Sequence, residues 1–125
     1  MTASTHLVGY LRVSTHTQTT DSQRRALVEA GVPEEDIYED VISGASVGAT
    51  RPGLSAAVGQ CRQGSTLVVW RLDRLGRSLV DVVTTVDTLS ARGVGVRSIS
   101  DNISPDTNEG RLMLGLMATL AEYER

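Results

Sequence analysis

Apolar residues fall in short blocks along this chain, and the spacing inside successive blocks switches between two and three to four. Leu7 to Val13 alternates, with Val8, Tyr10 and Arg12 on one side and Leu7, Gly9, Leu11 and Val13 on the other, which predicts a first strand. Asp21 is the expected N-cap of a helix running to Ala30, with Ala26, Leu27 and Ala30 facing inward and Gly31 as its stop. Ile37 to Ile42 predicts a second strand, residues 43–52 a small-residue loop, and Gly53 to Arg62 a helix ended by Gly64. The third strand is expected from Leu67 to Arg71. A helix from about Ser78 to Arg92 sets Leu79, Val82, Val83, Val86 and Leu89 three and four apart, Gly93 stops it, and Val94 to Ile99 predicts a fourth strand. Strands and helices that alternate through short connections define an α/β domain, with a mainly parallel sheet of four to five strands flanked by helices.

In such folds, function gathers where strands end and helices begin. Ser14, Ser43, the pair Asp73 and Arg74, and Asp101 each follow a strand, so all are expected on one rim. The third exit is the most distinctive. The run Leu67 to Trp70 stops abruptly, and Arg71, Arg74 and Arg77 follow at three-residue intervals with Asp73 between the first two. Guanidiniums collected at a strand-to-helix junction add to the free N–H groups and positive dipole end of the helix, an arrangement that suits an anion. Arginine's planar fork grips two phosphate oxygens at once. A solvated turn whose arginines pair with nearby acids is the plainer reading of these residues alone.

Composition narrows the classes. With 125 residues and 40% hydrophobic content, the chain suffices for one cored domain and not for two. Its net charge of −3 argues against bulk electrostatic binding of nucleic acid and leaves that task to local clusters. All twelve basic residues are arginine. The single Cys61 excludes an internal disulfide and a multi-cysteine zinc site, and His6 and His16 are too isolated for a metal pair. Neither a charged apolar leader nor a run near the ~20 residues of a membrane span is present, so a cytoplasmic protein is expected. Three tyrosines and one tryptophan are too few for a base-stacking surface.

The last segment, residues 109–125, has a different pattern. From Leu112 to Ala121 no residue is charged, and on a helical wheel the apolar side chains cover nearly every side. Such a helix at the end of a small domain is most simply buried twice, against its own sheet and against a partner. Leu112, Met113, Leu116, Met117 and Leu120 are therefore expected to form a homodimer contact; a central core helix is the alternative. The chain stops at Glu124 and Arg125 without a helix stop signal, as a fragment would.

Tyr10, Arg12 and Ser14 lie two apart, so the first two project to one side of a strand and Ser14 follows its end. A serine hydroxyl is a poor nucleophile unaided. Arginines around it would neutralise an incoming phosphodiester and stabilise the charge that builds on its oxygens. No carbonyl-directed triad accompanies it: His6 begins the same strand more than ~20 Å away, and His16 has no acidic orienter. Taken alone, a helix-capping Ser14 beside a salt-bridged Arg12 fits as well.

Several separated motifs occur together: Tyr10-Leu11-Arg12-Val13-Ser14-Thr15, Gln18, Asp21-x-Gln23-Arg24, Arg51-Pro52-Gly53-Leu54, the run Trp70 to Ser78, Gly110-Arg111 and Ala121 to Arg125. In this order and near this spacing they resemble the catalytic domain of serine site-specific recombinases, the resolvase/invertase family, from about Leu7 to the last residue. The resemblance implies that Ser14 is the nucleophile, leaving a 5′-phosphoseryl link to DNA and a free 3′-hydroxyl, and that strands rejoin without ATP. It places Arg12, Arg51, Arg74 and Arg77 around the phosphate and Asp73 beside them, either moving a proton or holding the arginines. Tyr10, Gln18, Gln23, Arg71 and Asp40 match its polar, substrate-binding shell. No cofactor and no metal are implied. Residues 1–108 would be the catalytic domain and 109–125 the start of a long dimerisation helix leading to a DNA-binding domain outside this chain. Homodimers would pair into a tetrameric synapse on double-stranded DNA. Two positions depart from the pattern: the segment between Ser43 and Arg51 is longer, and Thr50 stands where an acid commonly precedes the arginine. Two other classes compete, a non-enzymatic dimerisation module that kept the fold and a flavodoxin-like domain binding a small phosphate ligand through residues 71–77. The first should lack the nucleophile or the arginines, and the second has no use for Arg12.

Overall fold

Eight elements follow the alternation: β1 (Leu7–Val13), α1 (Gln18–Glu29), β2 (Ile37–Val41), α2 (Pro52–Gln60), β3 (Thr66–Val69), α3 (Leu79–Ala91), β4 (Gly95–Ser98) and α4 (Asn108–Tyr123). Short 3-10 turns occupy Glu34–Asp36 and Leu72–Leu75. The computed structural model describes residues 6–13, 18–41, 52–76, 79–104 and 107–123; at 13, 18–20, 73, 74, 79, 109, 118 and 121–123 the description is of the backbone only. Among the described residues the sheet has four strands in the order β2-β1-β3-β4, all parallel. All four strands therefore end at one edge, as the exits in the sequence require.

Pairing in register puts Val8, Tyr10, Leu67, Val69 and Val96 on one face, where they pack with Leu54 and Ala57 of α2, and Val82, Val86 and Leu89 of α3. The other face carries Leu11, Ile37 and Val68 and is covered by Leu27 of α1. β3 lies centrally and all four of its residues are buried, whereas the edge strand β4 alternates. The inward positions expected of α3 at Val82, Val83, Val86 and Leu89 are all buried.

Two helix ends show how the glycine stops work. Gly31 follows α1 at φ +108° and Gly93 follows α3 at φ +78°, both in the left-handed region that disfavours a Cβ. In each case the next residue turns back on the last helical turn: Val32 N–H donates to Leu27 O and Val94 N–H to Leu89 O. The same pairs share a core, Leu27 with Val32 and Leu89 with Val94, so the backbone turn and the apolar contact reinforce one another.

Element bounds shift by a few residues from expectation, and two of these shifts and the facing of α4 have clear physical reasons. α1 starts at Gln18, one turn before Asp21, which therefore sits in the first turn, where its charge opposes the helix dipole. β3 ends at Val69 because Trp70 and Arg71 lead into the 3-10 turn. α4 is half inside: Leu114 and Met117 pack against the core beside α3, while Leu112 is 66% exposed and Met113, Leu116 and Leu120 are exposed too. Met117 thus belongs to the chain's own core side, because it falls three residues after Leu114 on the same face of the helix. Among the described residues no helix is long and apolar enough to cross a membrane.

Cys61 closes the bottom of the core, buried after α2. Burial pushes its thiol above the ordinary 9.0, against a smaller opposing pull from Arg92. The native thiol holds its proton to higher pH than the unfolded one, so this contribution to stability is complete below about 9.0 and fades as pH rises through the folded value. A thiol reagent at pH 8 should label Cys61 only as fast as the chain opens. Rapid stoichiometric labelling of the native protein would contradict the burial.

Candidate active site

The carboxyl edge of the sheet is organised by Asp40, near the end of β2. Its side chain points to the same face as Tyr10, because Arg12 and Asp40 are paired in register two residues beyond Tyr10 and Tyr38. The Tyr10 hydroxyl donates to Asp40 Oδ2 at 2.7 Å. The backbone N–H groups of Gly53 and Leu54 donate to Oδ1 at 2.7 Å and Oδ2 at 3.0 Å. A helix leaves its first N–H groups without intrahelical partners, and here a carboxylate from a neighbouring strand accepts two of those in α2 while opposing the helix dipole. Pro52 suits the first helical position, where its missing N–H costs nothing. Gly53 is required by closeness: a Cβ there would overlap Glu39 O and come within 2.9 Å of Asp40 Oδ1.

Three residues matched to the substrate-binding shell, Tyr10, Asp40 and Gln23, are buried. Tyr10 is fully buried and Asp40 nearly so, and Asp40 joins Tyr10 to the start of α2. Gln23 is 2% exposed and lies one helical turn before Leu27, on the opposite face of the sheet. Among the described residues neither end of its carboxamide has a hydrogen-bond partner. Glu39 shares that face and forms an ion pair with Arg24 at 3.7 Å, with its Oε2 buried and unpartnered.

Arg12 is half-buried at the end of β1, in register with Asp40. Arg71 is exposed and stands in extended backbone at the entry to the 3-10 turn that carries Asp73 and Arg74. The side chains of Asp73, Arg74 and Gln18 are outside the description, and Ser14, Ser43, Arg51 and Arg77 lie outside the described residues. β1 stops one residue before Ser14, however, and α2 starts one residue after Arg51. Asp40 therefore clamps together the two elements from which these segments depart. His6 sits at the opposite edge, its Nδ1 2.8 Å from Ser65 Oγ, far from this rim as the strand length implies.

Asp101 is the group whose importance the sequence left unassigned. It was expected on the rim and is there, accepting from Leu72 N–H at 2.9 Å and from the Ser98 hydroxyl at 2.7 Å on one oxygen, Oδ2. The signal was only positional, an acid directly after the fourth strand.

Among the described residues, the carboxyl rim of the parallel sheet carries Arg12 near the end of β1 and exposed Arg71 at the entry to the 3-10 turn, in an α/β domain. Residues 7–125 match the family described as Resolvase, N terminal domain. Serine recombinase gin of Escherichia phage Mu is 48% identical over 119 residues, covering 95% of this chain and 60% of that protein. DNA-invertase hin of Salmonella typhimurium is 45% identical over 118 residues, covering 94% of this chain and 60% of that protein. The N-terminal catalytic domain of TP901-1 integrase superposes with a TM-score of 0.72 at 28% identity, covering 96% of each chain. This chain belongs to the resolvase family and corresponds to its N-terminal domain. It spans about 60% of the length of these curated relatives.

Proposed function

We propose that this chain is the catalytic domain of a serine site-specific recombinase. The Ser14 oxygen attacks the scissile phosphodiester of double-stranded DNA, a Ser–O–P bond forms, and the P–O3′ bond breaks. The proton of Ser14 is lost and the leaving 3′-oxygen gains one. Rejoining reverses these steps with a 3′-hydroxyl from the partner strand, so the phosphoester energy is conserved and ATP is not needed. Arg12, Arg51, Arg74 and Arg77 neutralise the phosphate and the charge that develops on it, and Arg71 extends the cationic surface at the turn. Asp73 moves the 3′-oxygen's proton or holds these arginines.

The observation that carries this reading is the Asp40 clamp, which joins the strand leading to Ser14 and the helix following Arg51. Residues 1–108 form the catalytic unit, and α4 begins a helix that continues towards a DNA-recognition region. Leu112, Leu116 and Leu120 recur every four residues on α4 and stay exposed with Met113, which supports a second copy of the chain as their cover. Two such dimers would make the synapse.

The test uses the parent recombinase, extended through its DNA-binding region, and its own site labelled downstream of the cleavage point. Label is expected on the wild-type protein, and Ser14→Ala should lower the adduct by at least about 10³-fold. Equal labelling of both proteins removes Ser14 as nucleophile. No adduct in either favours the non-enzymatic dimerisation module.

A further inference from the structure

The 3-10 turn Leu72–Leu75 carries Asp73 and Arg74, and its position decides where those groups stand. Buried Leu72 and Leu75 anchor its apolar side. Its far end is set by close packing, since a Cβ on Gly76 would come within 2.6 Å of Val82 N and 2.8 Å of Asp81 C. At its near end Arg71 makes no side-chain cap. The cap comes instead from another strand end, through Asp101 Oδ2 on Leu72 N–H.

Asp101 is itself held. Ser98, 1% exposed, donates its hydroxyl to the same Oδ2, and Asp101 N–H donates back to Ser98 Oγ at 3.4 Å. The turn that carries Asp101 is closed by Ser98 pairing with Ile103, with Asn102 at φ +56° between them. Ile99 N–H and Ser100 N–H extend the sheet by donating to Val69 O and Trp70 O. The acceptor thus sits on a braced hairpin fastened to the strand that feeds the arginine turn.

We propose that Asp101 is a positioning residue for DNA cleavage: its Oδ2, oriented by Ser98, sets the Leu72–Leu75 turn so that Asp73 and Arg74 meet the scissile phosphate. The proposal rests on the recombinase reading above. Both hydrogen bonds converge on one oxygen, so an amide carbonyl can replace the carboxylate, and negative charge is not required. Displacement of a catalytic group by about 1 Å costs on the order of 10²-fold in rate, whereas an exposed aspartate with two bonds contributes modestly to stability.

The experiment compares Asp101→Ala, Asp101→Asn, Ser98→Ala and Ser14→Ala in the parent recombinase, measuring site binding, thermal unfolding and the rate of covalent adduct formation at saturating DNA. Asp101→Ala is expected to slow cleavage roughly 10- to 100-fold with site affinity unchanged within about twofold, and Asp101→Asn should return to within about threefold of wild type. Wild-type cleavage by Asp101→Ala overturns the proposal. So does an Asn variant as slow as Ala, which would assign the role to charge, and so does a parallel loss of binding and cleavage. If Asp101→Ala does not fold, Ser98→Ala carries the test: it leaves the acceptor free to swing, a roughly three- to tenfold slowing is expected, and an unchanged rate refutes the idea. Adduct in Ser14→Ala would instead remove the recombinase reading itself.

Discussion

Asp40→Ala is expected to lower the unfolding free energy by about 3 to 5 kcal/mol, from the loss of three hydrogen bonds to one carboxylate at about 1 to 3 kcal/mol each. The donors are the Tyr10 hydroxyl and the N–H groups of Gly53 and Leu54, which all turn to this one carboxylate. Water entering the vacated space offsets part of the loss, which is why the sum does not reach its upper limit. Against a typical total of about 5 to 15 kcal/mol, that is a large share. For a chain of this size it corresponds to a fall in Tm of roughly 10 to 20 °C. Cleavage should suffer beyond the stability loss, because β1 and α2 lose the group that ties their rim ends together. Asp40→Asn should lie between. Its carbonyl keeps Tyr10 and Leu54 when placed at the Oδ2 position, but its NH2 then faces Gly53 N–H, donor against donor, and the charge at the helix start is gone. Calorimetry on the three proteins, with adduct formation measured below the lowest Tm, checks both parts. An alanine variant within about 1 kcal/mol of wild type would mean that the clamp is not structural.

How much of this was legible in advance follows from the distance over which each feature is decided. Helices and strands were visible because their apolar periods are local, and the stops at Gly31 and Gly93 because a left-handed residue needs a glycine where it stands. The rim was visible because parallel strands share one exit edge. The role of Asp40 was not. In the sequence it is a polar residue in a strand, and matching it to the family's acids placed it near the site without a task. Its partners are thirty residues before it and thirteen and fourteen after it, brought together only by a register that no local pattern encodes. The burial of Gln23 was out of reach for the same reason, since it depends on how α1 is laid on the sheet. For α4 the all-round apolar pattern matches a helix with one side on the core and apolar residues left exposed on the other. It did not show which residues face which way, and Met117 turned inward.

Two glycines in α4 yield opposite predictions for the same substitution. Propensity alone says that Gly→Ala in a helix gains roughly 0.5 to 1 kcal/mol. At Gly115 nothing among the described residues lies within 4 Å of a built Cβ, so Gly115→Ala should realise that gain. At Gly110 the built Cβ overlaps Ser104 O and lies 2.7 Å from Ser104 C and N, all of them backbone atoms with little room to yield. The contact is part of the helix start. Thr107 accepts from Gly110 N–H at 2.9 Å through its Oγ1 and donates that hydroxyl to Ser104 O at 3.2 Å, so residues 104 and 107 fold over the first turn. Gly110→Ala must lift that turn or break the cap, and overpacking of this kind typically costs about 1 to 3 kcal/mol. A shift there also moves Leu114 and Met117 off the core and reorients the exposed stripe at Leu112, Leu116 and Leu120. Gly110→Ala should therefore lower Tm and weaken the self-association proposed above, as read by sedimentation. Gly115→Ala, measured at a concentration where the chain is monomeric, should raise Tm. If both variants shift Tm upward by the same amount, helix propensity governs α4 and the close approach to Ser104 has no energetic weight.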